Sequence, residues 1–293
     1  MKNRRISLAL LAAWALTPAT PRAACVQDDT GVRACVETRA PRIVSLYGAY
    51  TELLWEMGAG GLLVGRTRND RTIPEVRELP SVGTGLRPNV EFVLALRPDL
   101  VVARAGRAAR TAVADLRARG LTVAAFDPRS FDELYRTIER LGRLAGRPGR
   151  AAALARRIRA RVEAVRRRTA SERPARVVYE VRAQPLTVAG TDSLMNEIIR
   201  AAGGVNAVTR PKKILMLDVE ALLRLDPDVY IVQKGPMNRN PLHPARRPLF
   251  RNLRAVREGA VLMVEETRFA RPGPRVADAV EELARFLHPE LFR

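Results

Sequence analysis

One stretch of the sequence occurs twice. Asn89-Val90-Glu91-Phe92-Val93-Leu94-Ala95-Leu96-Arg97-Pro98-Asp99-Leu100-Val101-Val102 returns as Asp218-Val219-Glu220-Ala221-Leu222-Leu223-Arg224-Leu225-Asp226-Pro227-Asp228-Val229-Tyr230-Ile231. Each copy begins with Asn or Asp, a good helix N-cap, and carries an acid in the first turn, where the helix dipole favours it. Leucines at helical spacing follow until Pro98 or Pro227 ends the helix. A β-branched run then predicts a buried parallel strand. The copies stand 129 residues apart, from Glu91 to Glu220, well beyond the roughly 20–50-residue period of a solenoid. A duplicated unit at that distance predicts two Rossmann-like α/β lobes with parallel sheets and a ligand cleft between them.

The rest of the chain fits that division. Strands are expected at 42–46, 62–65 and 121–126, alternating with helices at 51–57, 108–119 and 131–144, and this alternation specifies a covered parallel sheet. From Pro148 to Arg168 the pattern changes to one long rod. Ala151, Leu154, Ile158, Val162 and Val165 form a narrow apolar stripe on a face otherwise covered with arginine. No Gly/Ser-rich stretch flanks it, so it reads as a stiff spine rather than a flexible linker. The expected organisation is an export signal over 1–24, an N-terminal lobe over 25–147 with an opening β-hairpin, a connecting helix over 148–170, and a C-terminal lobe over 171–293.

The export signal rests on Lys2, Arg4 and Arg5, then the apolar run Ile6 to Leu16 and a short small-residue tail. That run is too short for a membrane span, so the mature protein is expected outside the cytoplasm, in the periplasm. Cys25 and Cys35 flank the turn signal Asp28-Asp29-Thr30-Gly31 and are expected to form a cross-hairpin disulfide in an oxidising compartment. Lipidation of Cys25 is the rival reading, and Arg22 stands where a lipidation motif wants leucine. The net charge is +20, which invites a nucleic-acid reading. The arginines are spread along the chain, however, and no zinc-finger, RNP-type or basic-zipper pattern accompanies them.

Ligands of open parallel sheets bind beyond the carboxyl ends of the strands. Those ends are rich in cations: Arg66, Arg68, Arg104, Arg107, Arg182, Lys234, Arg268 and Arg271. Guanidinium groups suit carboxylates and other oxyanions because the planar fork binds them bidentately. Tyr47, Tyr50 and Phe269 would supply flat walls, and Tyr47 also a phenolate oxygen for a ferric centre; core packing is the alternative for all three. No nucleophile elbow, phosphate loop or metalloprotease motif is present. With only two histidines, His243 and His288, far apart in the sequence, a His-ligated zinc or manganese site is not expected, because it needs several imidazoles.

Arg42-Ile43-Val44-Ser45-Leu46, Thr51-Glu52-Leu53-Leu54 and Gly58-Ala59-Gly60 resemble the start of the periplasmic solute-binding proteins that serve iron-siderophore, haem and vitamin B12 ABC importers. Leu79-Pro80-Ser81-Val82-Gly83, the two repeat copies and Arg271-Pro272-Gly273-Pro274-Arg275 continue the likeness across the mature chain. The resemblance implies two lobes on a rigid helix with small hinge motion, no catalysis and no cofactor. It also implies a monomer that hands a metal chelate to a permease and its ATPase, touching the membrane only through them. It implies that Glu91 and Glu220, one on each lobe, dock onto permease arginines. The vitamin B12 binder of the family cradles its corrinoid with aromatics; at those positions this chain has Gly85, Arg104, Thr187 and Arg268. A ferric siderophore carrying negative charge is therefore the expected ligand, with haem or cobalamin as the alternatives. A secreted enzyme acting on a chelate or tetrapyrrole, and a basic polyanion-binding surface protein, are the readings from other classes. Arg104 and Arg268 are expected to face each other across the cleft.

Overall fold

The computed structural model describes residues 23–70 and 73–293, so the expected export signal lies outside the described residues except for its last two positions. The chain then opens with the antiparallel hairpin Ala24–Gln27 and Arg33–Val36, in which Cys25 stands opposite Cys35 and is disulfide-bonded to it. The buried Asp28 carboxylate shapes the turn: Oδ1 accepts from the Thr30 amide at 2.9 Å and the Val32 amide at 3.1 Å. Its other oxygen accepts from the Ala125 amide at 2.9 Å and pairs with Arg117, so the hairpin is bound to the first sheet.

That sheet has four parallel strands in the order Leu63–Gly65, Ile43–Ser45, Leu100–Arg104, Val123–Phe126. The second repeats the arrangement with Gly204–Asn206, Ala175–Arg182, Val229–Lys234 and Val261–Glu265, again all parallel. It then departs from the all-parallel expectation. Thr187–Ala189 pairs antiparallel with the upper part of Ala175–Arg182, and Ile214–Met216 extends that edge. Four residues separate Arg182 from Thr187, and a parallel return needs a crossover of about a dozen or more.

The two repeat copies make matching local interactions. Asn89 accepts from the Phe92 amide at 3.0 Å and Asp218 from the Ala221 amide at 2.6 Å, capping helices Val90–Ala95 and Val219–Leu225. Each helix is followed by a non-glycine residue in the left-handed region, Arg97 at φ 45° and Asp226 at φ 35°. The likeness extends beyond the aligned sequence. Asp99 accepts from the Arg42 amide and Asp228 from the Arg176 amide, both at 2.7 Å. The guanidinium of Arg42 donates to Leu96 O at 2.8 Å, and that of Arg176 to Leu225 O at 2.9 Å. Each pair satisfies carbonyls that a helix end leaves without partners.

Helix Pro148–Thr169 has 22 residues, about 33 Å at the α-helical rise. Its stripe of Ala151, Leu154, Ile158, Val162 and Val165 is buried. It packs against Phe131–Leu144 on one side and Val276–Leu287 on the other. Arg157 pairs with Glu56 at 2.7 Å, and Arg161 with Asp278 at 2.7 Å and Glu281 at 2.9 Å. One rod therefore carries both lobes. No helix among the described residues is long and apolar enough to cross a membrane.

Candidate functional site

The carboxyl ends of both sheets open onto a single cleft of about 1290 Å³ between the lobes. Small-ligand sites are commonly about 300–1,000 Å³, so this one suits a large ligand. Strand register relates its two walls. Ile43 pairs with Leu100 as Val177 pairs with Val229, which makes Tyr47 the counterpart of Val181 and Arg104 the counterpart of Gln233. All four line the cleft. The N-terminal wall thus presents a phenol and a guanidinium where the C-terminal wall presents an alkyl group and an amide. Met195, Ile214, Pro236 and Met237 continue the apolar side, while Arg107, Arg110 and Arg136 continue the cationic one. None of these three arginines has an acidic partner among the described residues.

Tyr47 occupies the N-cap position of helix Gly48–Glu56 and meets Tyr50 edge to face at 5.1 Å. The Arg104 guanidinium lies 5.0 Å from the Tyr47 ring centre, a cation–π distance. Burial pushes the Tyr47 phenol up, and Arg104 and Arg271 oppose that only in part, so the free protein holds it neutral at pH 7. Gly48 follows because nothing larger fits: a Cβ there would lie 2.5 Å from Asp70 Oδ1 and 3.1 Å from Arg271 Nη1. Gly85 is equally constrained, since its Cβ would fall 2.0 Å from Leu46 O. Substitution at Gly85 by an aromatic therefore requires the loop to move.

Charges bridge the cleft from wall to wall. Asp127 lies just past strand Val123–Phe126 and accepts from Lys213 of the other lobe at 2.6 Å and from Arg104 at 3.4 Å. Burial by itself would raise the Asp127 carboxyl, but Lys213 and Arg104 outweigh it and hold it below the usual carboxylate range. A second bridge of opposite polarity joins Arg129 of the N-terminal lobe to Asp192 of the C-terminal lobe. Asp29, at the tip of the hairpin, pairs with Arg140 at 2.7 Å and accepts from the Asp127 amide at 2.7 Å.

Of the residues singled out in the sequence, Tyr47, Arg104 and Arg271 line the cleft, as does Arg107. Arg268 does not. Residues Glu266–Phe269 form a helical turn that sends Arg268 to Glu282, while Glu266 and Ala270, one turn apart, face the cleft. The expected opposition of Arg104 and Arg268 is therefore incorrect. Arg182 also points away and donates to Thr187 at 3.4 Å; alternation along the strand gives the lining position to Val181 instead. Arg66 donates to Arg77 O at 2.6 Å and Thr67 O at 3.1 Å, and Arg68 is exposed. Neither reaches the cleft, which takes Thr67 from between them. Phe269 is fully buried in the core. Lys213, Asp127, Arg129, Asp192 and Met195 were missed. Asp127 carried a usable signal, being the residue directly after a predicted strand. Glu91 and Glu220 sit exposed at equivalent helix starts; Glu91 contacts Arg119.

Comparison with known proteins agrees with this architecture. Over 275 residues the chain is 28% identical to the uncharacterized ABC transporter substrate-binding lipoprotein YvrC of Bacillus subtilis, covering 92% of this chain and 86% of that one. It is 28% identical over 250 residues to the vitamin B12-binding protein of Vibrio cholerae, covering 85% and 89% respectively. The periplasmic heme-binding protein RhuT of Roseiflexus, in apo form, superimposes with a TM-score of 0.75 at 26% identity, covering 86% of this chain and 99% of RhuT. Residues 43–266 match the family model for periplasmic binding proteins. With paired α/β lobes, a strand-end cleft and that match across most of its length, the chain belongs to the periplasmic binding protein family.

Proposed function

We propose that the protein is the extracytoplasmic substrate-binding component of an ABC importer, and that it captures an anionic metal chelate, a ferric siderophore first, for delivery to the permease. The carrying observation is the asymmetry of the cleft: Arg107, Arg110 and Arg136 line one wall without carboxylate partners among the described residues, and Arg104 stands beside them. Unpaired cations in a partly enclosed cleft favour ligands with several negative oxygens. The opposite wall of Val181, Met195, Ile214 and Met237 would take the apolar face of the same ligand. Haem is the second reading, favoured by Tyr47, whose phenol faces the cleft and makes no hydrogen bond among the described residues. Its propionates would use the same arginines. Cobalamin fits less well, because Gly85 has no room for an aromatic wall.

Calorimetric titration with ferric complexes of carboxylate and hydroxamate chelators, haemin and cyanocobalamin separates these readings. Tightest binding of a multiply anionic ferric complex, weakening as salt rises, is the expected result. Preference for cyanocobalamin, or salt-independent binding of a neutral complex, would overturn the anionic assignment.

A further inference from the structure

A second cluster of chemically capable side chains lies at the base of the C-terminal lobe, at the amino ends of its strands and away from the cleft. The turn after the long helix contributes Glu172. The end of the last helix contributes His288, and the final turn Glu290. One ligating atom from each lies within 4.8 Å of the other two. We propose that Glu172, His288 and Glu290 form a binding site for a divalent first-row transition cation of the zinc type.

The histidine is already arranged for that role. Its side chain is buried, and Nε2 lies 3.4 Å from Gly203 O. A carbonyl can only accept, so this contact favours the tautomer with its proton on Nε2 and the free lone pair on Nδ1, and no protein group among the described residues hydrogen-bonds to Nδ1. Metal-binding imidazoles are usually oriented in this way by a carbonyl or carboxylate on the far nitrogen. Gly203 makes the approach feasible. A Cβ there would lie 2.6 Å from Nε2, and its φ of +85° already favours glycine.

Charge supplies an independent argument. Cations outnumber acids in the chain, 51 Lys and Arg against 31 Asp and Glu. Glu172 and Glu290 adjoin each other, and among the described residues neither has an ion-pair partner. Arg166 and Arg200 line the neighbouring depression; Arg166 is paired with Glu163 at 2.8 Å and Glu197 at 3.8 Å, and neither arginine forms an ion pair with Glu172 or Glu290. Arg168 and Arg285 lie over the Phe292 ring. Two adjacent carboxylates repel unless a proton or a cation comes between them. The depression of about 360 Å³ beside Glu172 and Gly203 leaves space for water. Three protein ligands with one nitrogen and two oxygens, completed by water, suit zinc; calcium and magnesium take oxygen ligands only. Bound metal would tie the entry to strand Ala175–Arg182 to the chain's last turn. The site is separate from the cleft, and its existence does not depend on the transported ligand.

The test uses tag-free, chelator-treated protein titrated with zinc chloride in a calorimeter. One equivalent should bind, and affinity should fall at least tenfold in His288→Ala and in the double variant Glu172→Gln/Glu290→Gln. His243→Ala, which removes the only other histidine, should leave it intact. Zinc should also raise the unfolding temperature of the wild type but not of the double glutamine variant. That variant changes a half-buried and an exposed carboxylate, so it decides the matter if His288→Ala does not fold. No zinc uptake, uptake unchanged in the double variant, or equal binding of magnesium would each overturn the assignment.

Discussion

The two lobes share a frame and differ in what they hang on it. In both, a side-chain cap starts the repeated helix, a left-handed residue ends it, and an arginine from the neighbouring strand holds its last carbonyls. Beyond this frame the N-terminal sheet stops at four parallel strands, whereas the C-terminal one adds an antiparallel pair. The chemistry diverges at matched positions as well. Leu46 corresponds to Glu180, Tyr47 to Val181 and Arg104 to Gln233 by strand register. The two lobes share a backbone frame, and at these matched positions the N-terminal wall offers a phenol and a guanidinium where the C-terminal wall offers an alkyl group and an amide.

The sharpest contrast is Leu46 against Glu180, and it carries the largest expected effect. Glu180 is fully buried, pairs with Arg247 and accepts from Tyr230 at 2.6 Å. Removing one member of a buried pair typically costs about 3–5 kcal/mol, so Glu180→Ala should lower the unfolding temperature by roughly ten degrees. Glu180→Leu combined with Arg247→Leu should recover much of that loss, because the C-terminal lobe would then resemble the N-terminal one. A double variant no more stable than the single one would show that the lobes are not interchangeable here.

Next comes Arg104→Gln, which gives the N-terminal wall its counterpart's side chain. Loss of a charged hydrogen bond costs about 1.5–3 kcal/mol, so affinity for an anionic ferric chelate should fall roughly ten- to a hundredfold by calorimetry. Unchanged affinity would mean that the wall asymmetry does not select the ligand.

A smaller effect is expected at the bridge between the lobes. Asp127→Asn should shift the ligand-free protein towards a wider separation in small-angle scattering, and high salt should do the same to the wild type. The pH dependence has a definite sign. Because the Asp127 carboxyl is held below its ordinary value of about 4, its contribution is complete above that value and disappears as pH falls through the lowered one. The bridge should survive pH 5 and fail only once the pH has dropped below the ordinary carboxylate value. Opening already at pH 6 would assign it to another group.

The smallest effects should appear at Glu91 and Glu220. Charge reversal at either removes a helix-start interaction of about 0.3–1 kcal/mol, so stability and chelate affinity should barely change while uptake by the intact importer falls. Lost chelate binding in these variants would move the docking surface elsewhere.

Local rules explain which features the sequence disclosed. Caps, prolines and leucine spacing act within a few residues, so both repeat copies and the long helix were readable. Arg42 and Arg176 make the same clamp but act across 54 and 49 residues, and in so arginine-rich a chain nothing distinguished them. At the cleft the strand-end rule located Tyr47, Arg104 and Arg271. It failed for Arg182 by one step of the strand alternation, and for Arg268 because the chain makes a helical turn directly after its strand. Asp127 and Asp192, the acids that join the walls, carry the opposite charge to the cations that mark the strand ends and so did not stand out in the sequence.

The small hairpin has a practical consequence. Asp29 reaches the cleft from a turn closed by the Cys25–Cys35 bond and holds both Arg140 and the Asp127 amide. The acid that tempers the basic wall is thus kept in place by a covalent link that persists only under oxidising conditions. Protein recovered under reducing conditions would have this corner loosened and its arginines less restrained, so ligand preferences measured on such material would describe a different binding surface from the one the disulfide-bonded chain presents.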